Sequence, residues 1–177
     1  MDGFPVRYHD QFTSQGMRCV QQVSLLKLWE RLRGSQELPQ FSTLAAEDIS
    51  RSVDKLSICE VVDTGSEPRF RIVKSGAQFE RMYPERRVGQ FLDETLSPAI
   101  RDQALEHYRR VVAIRQPSFS FTAVRKDDGP IIRYERLLLP FACDGSHVGR
   151  IVGVITLFSE ENGFDASDVT SGQIIEL

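Results

Sequence analysis

The sequence predicts an α+β fold built on one antiparallel sheet of five strands, and three observations lead there. The last third holds three strand-like runs, 118–126, 131–141 and 150–159, broken by Asp127-Asp128-Gly129-Pro130 and Asp144-Gly145-Ser146. In such turns Gly takes positive φ and Asp bonds its own backbone, so the runs form a meander. Two further strands, 56–63 and 69–74, lie upstream around Thr64-Gly65-Ser66-Glu67-Pro68, and helices separate them from the meander. Finally, Leu137-Leu138-Leu139 and Ile151-Val152 are apolar at consecutive positions. Side chains alternate along a strand, so such runs load both faces of the sheet and both need cover.

Residues 1–16 lack periodicity and read as an arm that is ordered only if something holds it. A helix follows within 17–34. At 100° per residue, Cys19, Val23, Leu26, Trp29, Leu25, Leu32 and Leu28 sweep an arc too wide for one flat surface, leaving Ser24, Lys27 and Arg31 wet. This helix is the available cover for the second sheet face. Its wide arc also predicts contact with a second copy or a partner through Leu25, Leu28, Trp29 and Leu32. Gly34 stops it.

Residues 36–40, with Pro39, form a linker, and 42–50 a short helix capped by Ser42 or Thr43. A brief helix spans 76–83 and ends at Pro84, and 89–95 is irregular or one turn. Ser97-Pro98 opens a longer helix, with Ser as cap and Pro at the first helical position. Ile100, Ala104, His107, Val111 and Ile114 share one of its faces. The domain therefore runs over 17–160, and 161–177 is a tail.

With 177 residues and 41% hydrophobic content the chain supports one core. A net charge of −3 and a pI near 5.7 give no basic surface for nucleic acid. The apolar runs 137–143 and 151–158 fall far short of the roughly 20 residues that cross a bilayer. The first residues carry no export signal, so a cytoplasmic location is expected. Cys19, Cys59 and Cys143, odd in number and set among apolar residues, read as reduced, buried thiols. No Gly-rich phosphate loop, nucleophile elbow, His-x-x-x-His or Cys-x-x-Cys is present, and a non-catalytic role is expected.

Trp29-Glu30-Arg31-Leu32-Arg33-Gly34, Leu38-Pro39, Phe70-Arg71-Ile72-Val73, Ser75-Gly76, Val88-Gly89-Gln90 and Glu135-Arg136-Leu137-Leu138-Leu139-Pro140 resemble a group of compact bacterial PAS-domain proteins. The likeness covers residues 22–158. It implies a five-stranded antiparallel sheet with helices on one face around a small-molecule pocket and the N-terminal helix on the other face. It also implies signalling by ligand binding or partner contact. The last strand departs from the pattern, since Leu157-Phe158-Ser159-Glu160 stands where an Asp-x-Thr triplet often closes it. The haem-binding histidine motif and the Asn-Cys-Arg flavin context are both missing, so no cofactor is assigned.

His107 lies on the apolar face of the helix that lines the pocket in PAS folds, as a core histidine or a ligand contact. Phe79, Tyr83, Phe91, Tyr108, Phe119 and Phe121 form an aromatic lining or pack the core. Arg71 and Arg133 answer an acidic ligand or face water. Arg86-Arg87 and Arg109-Arg110 read as solvated faces. Cys59 and Cys143 have no activating neighbour. Asp127, Asp128 and Asp144 are explained by their turns.

The expected partners are an unidentified small molecule, a regulatory protein and a second copy of the chain, with no nucleic acid and no membrane span. Two alternatives stay open. One is a cone-shaped α+β enzyme with His107 and a carboxylate as acid–base pair; the other is an interaction adaptor with a filled core. In a cone the long N-terminal helix occupies the concavity, whereas in a PAS fold it lies on the far side of the sheet.

Overall fold

The strands that carry consecutive apolar residues form the centre of the sheet, and everything else is arranged to cover them. The computed structural model describes residues 7–9, 17–83, 85–158 and 165–175. In chain order the elements are β1 (Arg7–His9), α1 (Val20–Arg33), α2 (Ala46–Ile49), β2 (Leu56–Val62), β3 (Arg69–Ser75), α3 (Ala77–Met82), α4 (Leu92–Thr95) and α5 (Pro98–Ile114). They continue with β4 (Ser118–Arg125), β5 (Ile132–Ala142), β6 (Val148–Phe158), α6 (Asp168–Ser171) and β7 (Gln173–Ile174). The sheet order is β1-β4-β5-β6-β2-β3, every pairing is antiparallel, and β7 also joins β4. The five predicted strands are present within two residues of their expected bounds.

Register sorts the side chains between two layers. Ser57, Gly153, Leu138 and Ser118 stand in one row across β2, β6, β5 and β4, while Leu56, Val154, Leu137 and Phe119 stand in the next. The first row and its equivalents face α5: Ser118 Oγ lies 2.9 Å from His107 Nε2, and Gln103 Nε2 donates to Thr122 Oγ1 at 3.3 Å. The second faces α1, where Gln22 Nε2 donates to Thr156 Oγ1 and to the Glu135 carbonyl, both at 3.2 Å. The sheet thus lies between α3–α5 and α1. The long N-terminal helix is on the far side from α5, which removes the cone-fold alternative.

Pro140 sits in β5, an inner strand, where a residue without N–H normally breaks the ladder. It is tolerated because β4 ends opposite Leu138, leaving the remainder of that edge of β5 without a strand neighbour. Other groups fill the gap. Trp29 Nε1 donates to the Pro140 carbonyl at 2.6 Å, and two residues on the Ala142 N–H donates to the Pro39 carbonyl at 2.9 Å. Trp29, 2% exposed, is therefore both the apolar plug and a hydrogen-bond donor of the α1 layer.

Both sides of the sheet carry added pairing. β1 lies along Phe119–Phe121 and β7 along Val124–Arg125, so two short segments cover the outer edge of β4. On the other side Ile72 bonds Gln90 and Gly89 through its N–H and C=O at 2.9 and 2.8 Å, which occupies the edge of β3. Gly76 allows α3 to start directly beneath the preceding turn: a Cβ there would lie 2.6 Å from the Asp54 carbonyl oxygen.

Leu25, Leu28 and Trp29 are buried and Leu32 half-buried against the chain's own core, where they pack α1 on the sheet. Other expectations are corrected. Arg7–His9 of the arm is held as a strand, while the rest of 1–16 lies outside the described residues. The expected tail contributes α6 and β7: Val169 is buried in a satellite cluster with Met82, Val124, Ile132, Tyr134 and Ile155, and Thr170 Oγ1 donates to the Met82 carbonyl at 3.0 Å. Residues 159–164 and 176–177 lie outside the described set. Ser97 caps α5 through its carbonyl, its hydroxyl being buried without a partner. Neither Ser42 nor Thr43 caps α2, whose first turn instead uses Asp48 to accept from the Ala45 N–H. Cys143 is exposed and Cys19 half-buried; only Cys59 is a buried thiol.

Replacing Trp29 by Phe keeps an aromatic plug but orphans the Pro140 carbonyl. The expected loss is about 2–3 kcal/mol from the unmet buried acceptor and the missing ring volume. Urea unfolding reads it as a lower midpoint with an unchanged slope.

Candidate functional site

The α5 side of the sheet has room near its centre because small residues meet there. Gly153 has no side chain, and a Cβ would lie 3.1 Å from the Tyr108 hydroxyl and 3.2 Å from Leu138 Cδ2. Ala104 stands above on α5, and Ser57 lies beside Gly153 on β2. The result is an inner cavity of about 30 Å³, bounded also by Phe79, Tyr83, Arg87, Leu92, Leu96 and Arg136. At about 10–15 Å³ per water, it holds two or three waters as shaped. An outer cleft of about 280 Å³ adjoins it and shares Phe79, Tyr83 and Arg87 as the common wall.

The walls are polar at chosen points. The Tyr108 hydroxyl bonds the Cys59 thiol, and its ring lies 5.1 Å from that of Phe70. Burial raises the Tyr108 hydroxyl well above the usual phenol range, and burial pushes the Cys59 thiol up to about 11, partly offset by its bond to Tyr108. Both are neutral near pH 7. Tyr83 is raised too, by burial, with Arg87 working against the shift.

Of the aromatic residues expected here, Phe79, Tyr83 and Tyr108 line the cavity. Phe91 does not; it lies at the β3 edge, with the Arg69 guanidinium 3.8 Å above its ring and Arg69 in turn paired to Asp93 and Glu94. Phe119 and Phe121 pair with Leu137 and Glu135 and so face the α1 layer. The period of two in β4 separates them from the cavity. Arg71 is exposed and reaches Glu60 at 3.6 Å. His107 stands beside the cavity rather than in it, with Nε2 2.9 Å from Ser118 Oγ and Nδ1 3.2 Å from Ser120 Oγ. Both ring nitrogens are engaged, which makes it a satisfied core histidine.

Sequence reasoning missed the two arginines. Arg87 was expected on a wet face, yet it is buried, and Arg136 lies in the strand that borders the cavity. The signal available was position: Arg136 has the same parity in β5 as Tyr134 and Leu138. Glu135 was missed as well. It is buried on the α1 side, accepts from the Arg18 backbone N–H, has Oε2 without a partner, and is raised by burial.

The five-strand core, the helices α3–α5 with a cavity on one face and α1 on the other together reproduce the arrangement that the resemblance implied. The fold is PAS-like. No family model and no curated protein matches the sequence. Among solved structures the chain is similar to a light-oxygen-voltage domain studied with a flavin analogue, at 15% identity, 64% of this chain, 84% of that chain and a TM-score of 0.46. It is similar to the PAS domain of a protein from Colwellia psychrerythraea, at 13% identity, 65% and 98% coverage and a TM-score of 0.45. An RNA-binding light-oxygen-voltage receptor matches at 15% identity over 75% of this chain and 36% of that one, with a TM-score of 0.43.

This PAS-like cavity, as shaped, is too small for a flavin or a haem. Cys59 is on a strand and bonded to Tyr108, and His107 has no free nitrogen to offer iron. Among the described residues no group of acids, histidines and cysteines could hold a metal ion, and no helix is long and apolar enough to cross a membrane.

Burial holds the His107 imidazole well below its ordinary 6.5, and Arg136 acts in the same direction. Below about pH 6.5 the unfolded chain takes up a proton that the folded chain refuses, so stability falls on acidification by up to about 1.4 kcal/mol per pH unit. The raised Glu135 carboxyl acts in the opposite sense above its usual 4.5. His107→Gln removes the histidine contribution. Urea midpoints at pH 7.5, 6.5 and 5.5 are expected to drop less steeply in the variant than in the parent.

Proposed function

We propose that this chain is a non-catalytic PAS-like sensory module in which a small ligand on the α5 side of the sheet alters how α1 docks on the other side. The observation that carries the reading is on β5. Arg136 borders the cavity, and its neighbour Glu135 faces α1, with its own carbonyl held by Gln22. A strand displacement that relieves one side is felt on the next residue by the other. A ligand shifts such an equilibrium only by binding the two arrangements unequally. The output is then read by a regulatory protein that recognises α1 in one of its docking states.

Phe79, Tyr83 and Arg87 form the wall between the inner cavity and the outer cleft, and their displacement would join the two into one larger site. The adaptor alternative shares the fold but has no use for that wall.

Ala104→Leu fills the inner cavity and costs about 1–3 kcal/mol by overpacking. Native mass spectrometry of the freshly purified parent, combined with a fragment-library screen by NMR, is expected to reveal a ligand that shifts Tyr83 and Tyr108. Hydrogen exchange of residues 20–33 changes with that ligand in the parent, and the variant binds it at least tenfold more weakly. A parent that retains nothing and shows no fragment-induced shift at Phe79, Tyr83 or Tyr108 overturns the sensory reading.

A further inference from the structure

Arg87 is 8% exposed, deep enough that its charge has lost most of its water. Its guanidinium lies 3.5 Å from the Tyr83 ring centroid, Nη2 donates to Thr95 Oγ1 at 2.8 Å, and Nε is buried with no partner. Its position matters as much as its burial. It lines the inner cavity and the outer cleft at once, in the wall that the two share. No carboxylate of the described residues forms an ion pair with it. A ring face and the neutral hydroxyls of Thr95 and Tyr83 do not match the cost of taking a full charge out of water, and an unpaired buried cation is the costly arrangement.

We propose that Arg87 is the anion-binding residue of the ligand site, taking the carboxylate of a small monoanionic organic acid whose apolar body rests on Phe79 and Tyr83 in the outer cleft. The planar guanidinium fork fits a carboxylate, and the orphan Nε–H supplies one arm of it. The cleft, about 280 Å³, is near the lower end of the size of small-ligand pockets and already has aromatic walls. Its rim selects charge. Glu80, Glu85 and Arg86 also line the cleft, so a second negative charge on the ligand meets two acids and gains only one further base. Singly charged acids are favoured over phosphates and dicarboxylates. This assignment rests on the ligand-sensing reading and narrows it to one chemical class.

The test uses the whole chain with benzoate and isobutyrate as probes, benzamide as the uncharged counterpart of benzoate, and inorganic phosphate as an anion without an apolar body. NMR follows the Arg87 Nε–H signal and the Tyr83 ring, and titration gives affinity. At least one of the two acids is expected to shift both signals, benzamide and phosphate to bind at least tenfold more weakly than benzoate, and Arg87→Met to lose at least tenfold. Arg87→Lys keeps the charge without the fork and falls between, which preserves the test if the Met variant does not fold. Equal binding of benzoate and benzamide, or unchanged affinity in the Met and Lys variants, overturns the anion assignment while leaving a sensory site in place. Failure of both acids to shift Arg87, with neutral fragments still shifting Tyr83, does the same. Failure of acids and of every neutral fragment overturns both.

Discussion

A β-layer with leucines at three successive positions cannot face water on either side, and this one requirement organises the molecule. Leu138 belongs to the α5 layer, Leu137 and Leu139 to the α1 layer, and all three are fully enclosed. Each face therefore needs its own cover, and two covers make a three-layer domain out of a chain with a single sheet. The α1 layer is fixed at three polar points, Gln22 on Thr156 and Glu135 and Trp29 on Pro140, which set the helix's register where apolar contact alone would let it slide.

The α5 layer follows a different rule. Its buried polar side chains are matched to one another across the helix–sheet boundary: His107 with Ser118 and Ser120, and Gln103 with Thr122 and Tyr134. Matched groups of this kind fix geometry and are chemically quiet. Arg87 breaks the rule, since it carries a full charge to the same layer and finds a ring and neutral hydroxyls. The Ser97 hydroxyl and the Arg109 Nε–H of α5 are also buried without partners, so Arg87 stands out because a whole charged residue is buried rather than by its orphan atom alone.

Much of the architecture was legible because period and punctuation are local properties. Turn dipeptides delimited the meander, Pro98 opened α5, and the consecutive leucines forced the second cover. What sequence alone could not supply was parity. Phe119 and Phe121 look like cavity residues until β4 is paired to β5, when their position opposite Leu137 and Glu135 sends them to the other layer. Arg87 resembled a solvated arginine because its neighbour Arg86 is one, and nothing short of the fold shows that the ring of Tyr83 lies beneath it. The tail was misread for a related reason: the two-residue β7 is too short to carry a pattern, and its place is set by the edge of β4.

The gap beside Pro140 has a consequence for any output state. Lifting α1 would strip an indole donor from a carbonyl that no strand can serve, and would bare Leu137, Leu139 and Phe141 together. A surface of that kind does not persist in water. Were α1 to leave in the proposed output, its replacement would have to bring both a greasy face and an N–H aimed at that one oxygen.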